Sequence, residues 1–205
     1  MIALSDPGSA ASEAYRALRT NLLYSSADNS PTVIVVSSSG PREGKSTICA
    51  NLAVALAQAE KDVLLVDGVL WKPTLHEFFT LPNTRGLVSV LMKQCSIEDA
   101  WHEPIPRLKV LTTGPEPHDS TDLLGSERFT EFMLRVRERF DYVLVDAPPV
   151  DLVSDTAMLA AHSDGVLLVI DAKKTHKSSV RQSMRSLEAV GVDVLGTVMI
   201  NYKQR

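Results

Sequence analysis

The sequence predicts an α/β protein, with a mostly parallel central sheet and helices on both faces. Three observations carry that expectation. Six short runs are apolar and rich in β-branched residues, most of them continuous rather than alternating, the pattern of strands covered on both sides. The segments between them are helix formers, several with apolar residues at helical spacing. The two kinds of segment alternate, the order that builds a parallel sheet with helical crossovers.

Taken in order, SEAYRALRTNLLYS (12–25) reads as a helix, with Ala14, Leu18 and Leu22 at i, i+4 and i+8. TVIVVS (32–37) is the first strand, and the Ala-rich KSTICANLAVALAQAE (45–60) the helix after it. DVLLVD (62–67) is the second strand. Residues 68–107 hold Pro73, Pro82, Pro104 and Pro106 and read as a long excursion with short helices. LKVLTT (108–113) returns to the sheet. SERFTEFMLRVRERF (126–140) places Phe129, Phe132, Met133 and Val136 on one stripe of a helix. DYVLVD (141–146) is a core strand that should bury Tyr142, and DTAMLAAH (155–162) a helix. DGVLLVID (164–171), a helix over 176–191 ended by Gly191, and VLGTVMIN (194–201) complete the set. With no repeat, low-complexity tract or linker, residues 1–205 are expected to form a single domain.

Composition excludes several functions. A net charge of −4 without a long basic run argues against nucleic acid as the partner. Cys49 and Cys95 lie in no CxxC or CxxH pattern, so a disulfide framework or zinc site is not expected, and a reduced, cytoplasmic setting is. No window has the length of a membrane span, and the start of the chain is too polar for a signal peptide.

The chemistry concentrates after the first strand, in SSSGPREGKST. Gly40, Pro41, Arg42, Glu43, Gly44, Lys45, Ser46 and Thr47 link a strand to a helix, the context of a phosphate-binding P-loop. Glycine lets backbone N–H groups approach an anion, and the helix start aims more of them at it. Lys45 is expected on the β- and γ-phosphates of ATP and the Ser46 hydroxyl on Mg²⁺. The strict pattern has glycine where Ser39 stands, so the loop is a relaxed version. Asp67 and Asp146 each end an apolar strand, and ligands of open α/β sheets gather at those ends. Either acid alone would equally suit capping of the following segment; two in a chain with a P-loop favour a role at the metal. Asn201, ending the last strand, suits a base contact or a turn about equally.

In these pieces and their order the chain resembles the cytoplasmic domain of the bacterial tyrosine kinases, P-loop NTPases of capsule and exopolysaccharide production. SEAYRALRTNL, SSSGPREGKSTICANLAVALAQ, VLLVDGVLWKPTLHEFF, LKVLTTGPEPHDSTDLLGS, DYVLVDAPPV and DGVLLVID carry the resemblance, from about residue 12 to 201. ParA/MinD-type ATPases, a related class, have lysine where Gly40 stands. The resemblance implies ATP and Mg²⁺ at Lys45, Ser46 and Thr47, Asp67 as base toward a tyrosine hydroxyl, and Asp146 holding the metal's waters. It implies a homo-oligomeric ring built through Glu13, Arg16 and Arg19 on a helix within residues 1–30, with residues 31–205 as the nucleotide-binding core. It also implies a transmembrane activator that recruits the cytoplasmic kinase to the inner face of the membrane.

Three features depart from the family pattern D-x-D-L-R-[RK]-P and its tyrosine-rich tail. Val69 replaces the second acid, Trp71 replaces the arginine, and Tyr202 stands alone near the C-terminus. Those departures keep open a kinase-like regulatory ATPase with reduced or no tyrosine kinase activity. A ParA/MinD-type ATPase is a further alternative.

Overall fold

The computed structural model describes residues 1–24, 31–117, 119–151 and 154–202. Its elements are α1 (Ile2–Ser5), α2 (Ala10–Tyr24), β1 (Val33–Ser38), α3 (Lys45–Ala57), β2 (Val63–Asp67), α4 (Leu75–Phe79), α5 (Leu87–Leu91), β3 (Trp101–Ile105), β4 (Leu108–Leu111), α6 (Ser120–Leu124), α7 (Glu127–Arg139), β5 (Tyr142–Asp146), α8 (Asp155–Ala161), β6 (Gly165–Asp171), α9 (Lys177–Ala189) and β7 (Val194–Ile200). The strands form one sheet in the order β3-β4-β2-β5-β1-β6-β7. Every pairing is parallel except β3 with β4. This is the mostly parallel α/β sheet that the apolar runs predict.

β1, β2 and β5 are buried along their whole length, which is why they read as continuous apolar runs rather than alternation. Their side chains divide between two apolar layers. Val33, Val35, Leu64 and Val143 pack with the Phe129, Phe132, Met133 and Val136 stripe of α7. Ile34, Val36, Leu65 and Leu144 pack on the other face against α3. α3 is buried from Ile48 to Ala57, so it is a central helix with no solvent face over that stretch. Tyr142 is buried as expected, and Gly191 follows α9 in the left-handed conformation.

Two expectations need correction. The excursion 68–107 holds the short helices α4 and α5 but also a strand, β3, that the sequence reading does not anticipate. β3 is a partly exposed edge strand containing Pro104, and an edge is where a sheet tolerates proline. In α2, Ala14 is exposed; the inward side carries Ser12, Tyr15, Leu18 and Leu22. The last residue expected in that helix, Ser25, and the boundary drawn at residue 30 lie outside the described residues.

Candidate functional site

The phosphate loop leaves β1 beside β5 on one side and β6 on the other. Arg42 (φ 58°) and Gly44 (φ 82°) both take left-handed backbone, which turns successive N–H groups inward. Glycine is needed at 44 twice over, since a Cβ there would also lie 2.9 Å from Ile200 Cδ1. α3 begins at Lys45 with no side chain capping its first turn, so its free N–H groups point into the loop. The Glu43 carboxylate is buried; it accepts from Gly40 N at 3.0 Å and from Thr175 Oγ1 at 2.7 Å. Glu43 therefore braces the loop, its carboxylate tied to Gly40 and Thr175.

Asp67 and Asp146 sit opposite each other in the β2–β5 register, both fully buried. Their environments differ. Asp67 Oδ1 accepts from Val69 N at 3.2 Å, and Oδ2 from Thr74 N at 3.2 Å and Leu75 N at 3.0 Å. It thus organises the 68–75 turn and caps the start of α4, the second role the sequence allowed. Burial pushes its pKa up against those three amide bonds and Lys45. Neither oxygen of Asp146 has a hydrogen-bond partner among the described residues. Lys45 Nζ lies 3.9 Å from its Oδ1 and donates to Ser46 Oγ at 3.2 Å. Burial raises the Asp146 carboxyl to about 7, opposed by Lys45, reinforced by Asp67, and opposed again by the nearby Ser46 hydroxyl, which stands just outside hydrogen-bond geometry.

A buried, orphaned carboxylate beside a P-loop hydroxyl is a donor set that suits Mg²⁺, which keeps several waters and takes one or two carboxylates plus substrate phosphates. No cluster of three or more His, Cys, Asp or Glu that could cage a metal occurs among the described residues. The oxygens here therefore fit a metal that shares its shell with a nucleotide.

Residues 41–47 form one wall of a cleft of about 680 Å³, and Val69, Trp71, Lys72, Thr74 and Phe78 line it from the β2–α4 side. That volume is in the range of small-molecule sites. Gly68 holds the two acid-bearing strand ends together: its N–H donates to Asp146 O at 2.8 Å, and a Cβ would lie 2.8 Å from that oxygen. Val69 is 5% exposed, so an apolar side chain occupies the place of the expected second acid.

The structure brings residues 41–47 together at the cleft, with Asp146 and Asp67 behind them. Asn201 is not part of the cleft wall. It takes a left-handed turn conformation after β7, and its side chain helps hold the pKa of Asp171 down, after the Lys173 amide. Glu13 and Arg16 pair at the surface of α2, Arg16 also donating to Pro7 O at 2.9 Å. Arg19 does not share that open flank: it turns to α3 and donates to Ala55 O at 3.1 Å, on the last turn of that helix. Thr175, Phe78 and Pro149, the last also lining the cleft, are not singled out by sequence reasoning. Thr175 lies 132 residues from the Glu43 it braces, and no local pattern marks such a pair.

Comparison with known proteins bears on this arrangement. A family model described as "AAA domain" matches residues 32–194. The chain is 40% identical over 200 residues to "Tyrosine-protein kinase YwqD" of Bacillus subtilis, covering 97% of this chain and 84% of that one. It is 38% identical over 199 residues to "Putative tyrosine-protein kinase EpsB" of Ralstonia solanacearum, covering 97% of this chain but 26% of that longer protein. The crystal structure of the chimerical protein CapA2B2 superposes with a TM-score of 0.94 at 35% identity, covering 99% of this chain and 90% of that one.

Proposed function

The chain belongs to the bacterial tyrosine kinases, and we propose that it transfers the γ-phosphoryl group of ATP to tyrosine hydroxyls, on itself or on a partner, in the control of capsule or exopolysaccharide production. The observation that carries this reading is the convergence of the uncapped start of α3 and Lys45 on one cleft, with a buried carboxylate lacking hydrogen-bond partners among the described residues directly behind them.

The loop amides and α3 hold the β- and γ-phosphates, and Lys45 neutralises them. Ser46 and Asp146 would hold Mg²⁺, directly or through its waters, with Asp67 behind them, and the ion would offset charge on the transferred group. The acceptor oxygen bonds to the γ-phosphorus while the bond from that phosphorus to the β–γ bridging oxygen breaks, and ADP leaves. Asp67 Oδ1, which holds a single backbone N–H, takes the phenolic proton. Phosphoryl transfer is mostly positioning and charge neutralisation, so this small set suffices.

The polar surface pair Glu13–Arg16 supports a homo-oligomer joined through α2. EpsB extends far beyond the region matched by this chain, and we take the partner that the family resemblance implies to be a transmembrane activator that recruits this kinase to the inner face of the membrane. One observation favours a second reading, a regulatory ATPase with weak kinase activity: Val69 offers no lone pair to orient a metal-bound water. Incubation with γ-labelled ATP and Mg²⁺, followed by phosphosite mapping, separates the two. Phosphotyrosine selects the kinase; label released only as free phosphate selects the ATPase.

A further inference from the structure

We propose that Trp71 is the platform on which the ring of the acceptor tyrosine stacks. The inference rests on the kinase reading above and names how that same site takes its acceptor.

The chain has two tryptophans, and the structure treats them differently. Trp101 meets Phe140 edge-on at 5.8 Å between ring centres and lies under the charged groups of Arg139 and Lys109. Trp71 makes no ring, cation–π or hydrogen-bond contact with any described residue, yet it lines the cleft and is 49% exposed. Phe78, 36% exposed and also without a ring partner among the described residues, lines the same cleft. Two unpartnered aromatic side chains on one wall of a cleft form a surface that a planar apolar ring would cover.

The sheet order says which end of the nucleotide that wall faces. Gly44 packs on Ile200 of β7, so one flank of the loop lies toward β7. Lys45 Nζ reaches the opposite way, to Asp146 on β5, and this lysine marks the β- and γ-phosphates. β2 is the next strand beyond β5, and Trp71 follows β2 by four residues. The indole therefore borders the terminal-phosphate end of the cleft, the end an acceptor must enter. Val69 continues the apolar floor between the indole and the acids. A phenol ring stacked there presents its hydroxyl toward Asp67 and the γ-phosphate.

The test uses N-acetyl-tyrosinamide as acceptor and a fluorescent ADP analogue as nucleotide probe, on the full chain and its Trp71→Ala and Trp71→Phe variants. Aromatic pairing of this kind changes affinity by roughly three- to tenfold. Trp71→Ala should raise the acceptor KM by about that factor, Trp71→Phe should retain most of the affinity, and both should keep the ADP-analogue Kd within about twofold. An unchanged acceptor KM overturns the proposal. So does a matching loss of ADP-analogue affinity, which would mean that the indole stacks on the base. A titration of tryptophan fluorescence with the tyrosine amide, in the presence of Mg²⁺ and a non-hydrolysable ATP analogue, needs no turnover. A saturable change present in the parent and absent in Trp71→Phe supports the platform even if no phosphotyrosine forms, which would remove the kinase reading alone. A flat titration overturns the platform and leaves kinase activity to stand on phosphosite mapping.

Discussion

At Asp146 the sheet buries a carboxylate and leaves both oxygens without hydrogen bonds among the described residues. Burial, the dominant cause, lifts its pKa to about 7, so between the ordinary carboxyl pKa near 4 and that value the folded chain holds a proton that the unfolded chain has lost. The stability tied to that proton is full below about pH 4 and is lost as pH rises through about 7. Asp146→Asn should therefore raise the thermal midpoint of the nucleotide-free protein at pH 8, with the gain over the parent shrinking toward pH 5. A gain equal at both pH values in parallel melts would contradict this origin. Val69→Asp places a third carboxyl beside two buried ones, and an unpaired polar group costs about 1–3 kcal/mol. The midpoint should fall without nucleotide and recover with Mg²⁺ and an ATP analogue, while kinase turnover rises; a fall that nucleotide does not reverse would show that the valine fills a packing role only. The sequence revealed the two acids but not their difference. Asp67 and Asp146 both end apolar strands, and only the turn that folds Val69, Thr74 and Leu75 back onto Asp67 separates them.

Between α2 and α3 the contact is more specific than an amphipathic helix laid on a core. Arg19 satisfies the Ala55 carbonyl on the last turn of α3, where the helix leaves carbonyls unpaired and favours a cation. Arg16 and Glu13 pair in solvent, where such a bridge contributes at most about 1 kcal/mol. Arg19→Ala, which removes a part-buried hydrogen bond, should destabilise the fold by roughly 1 kcal/mol and lower the thermal midpoint accordingly, while Arg16→Ala, whose bonds to Glu13 and Pro7 are solvent-exposed, should shift it less. If the ring forms through this helix, Arg16→Ala alone should lower the particle mass in light scattering. An unchanged mass in a variant with an intact melt would remove the oligomer claim. At this scale the sequence was most informative where an element is buried on every side. β1, β2 and β5 and the α7 stripe stood out because each residue in them is constrained by packing. β3 escaped notice because an edge strand is half solvated, and its Pro104 reads as a breaker unless the pairing with β4 is known. Ala14 misled because alanine suits either face of a helix, whereas Tyr15, polar at its tip, packs its ring inward.

Across the molecule, the sheet order brings the carboxyl ends of the central strands β2, β5 and β1 side by side, which is why a strand-by-strand reading pointed to one end of the sheet without coordinates. The tyrosines are distributed differently. Tyr142 is buried in β5 and Tyr15 half-buried against the core, and burial raises the pKa of both hydroxyls. Tyr24 and Tyr202 are the exposed tyrosines among the described residues, so autophosphorylation should map to these two and spare Tyr142. The central claim is phosphoryl transfer to tyrosine from ATP held at the start of α3, and γ-labelled ATP with Mg²⁺ tests it most directly when the parent chain and Lys45→Met are mapped side by side. Phosphotyrosine in the parent, reduced about a hundredfold or more in Lys45→Met, is the predicted result. Label that persists in Lys45→Met, or that leaves the parent only as free phosphate, would contradict it.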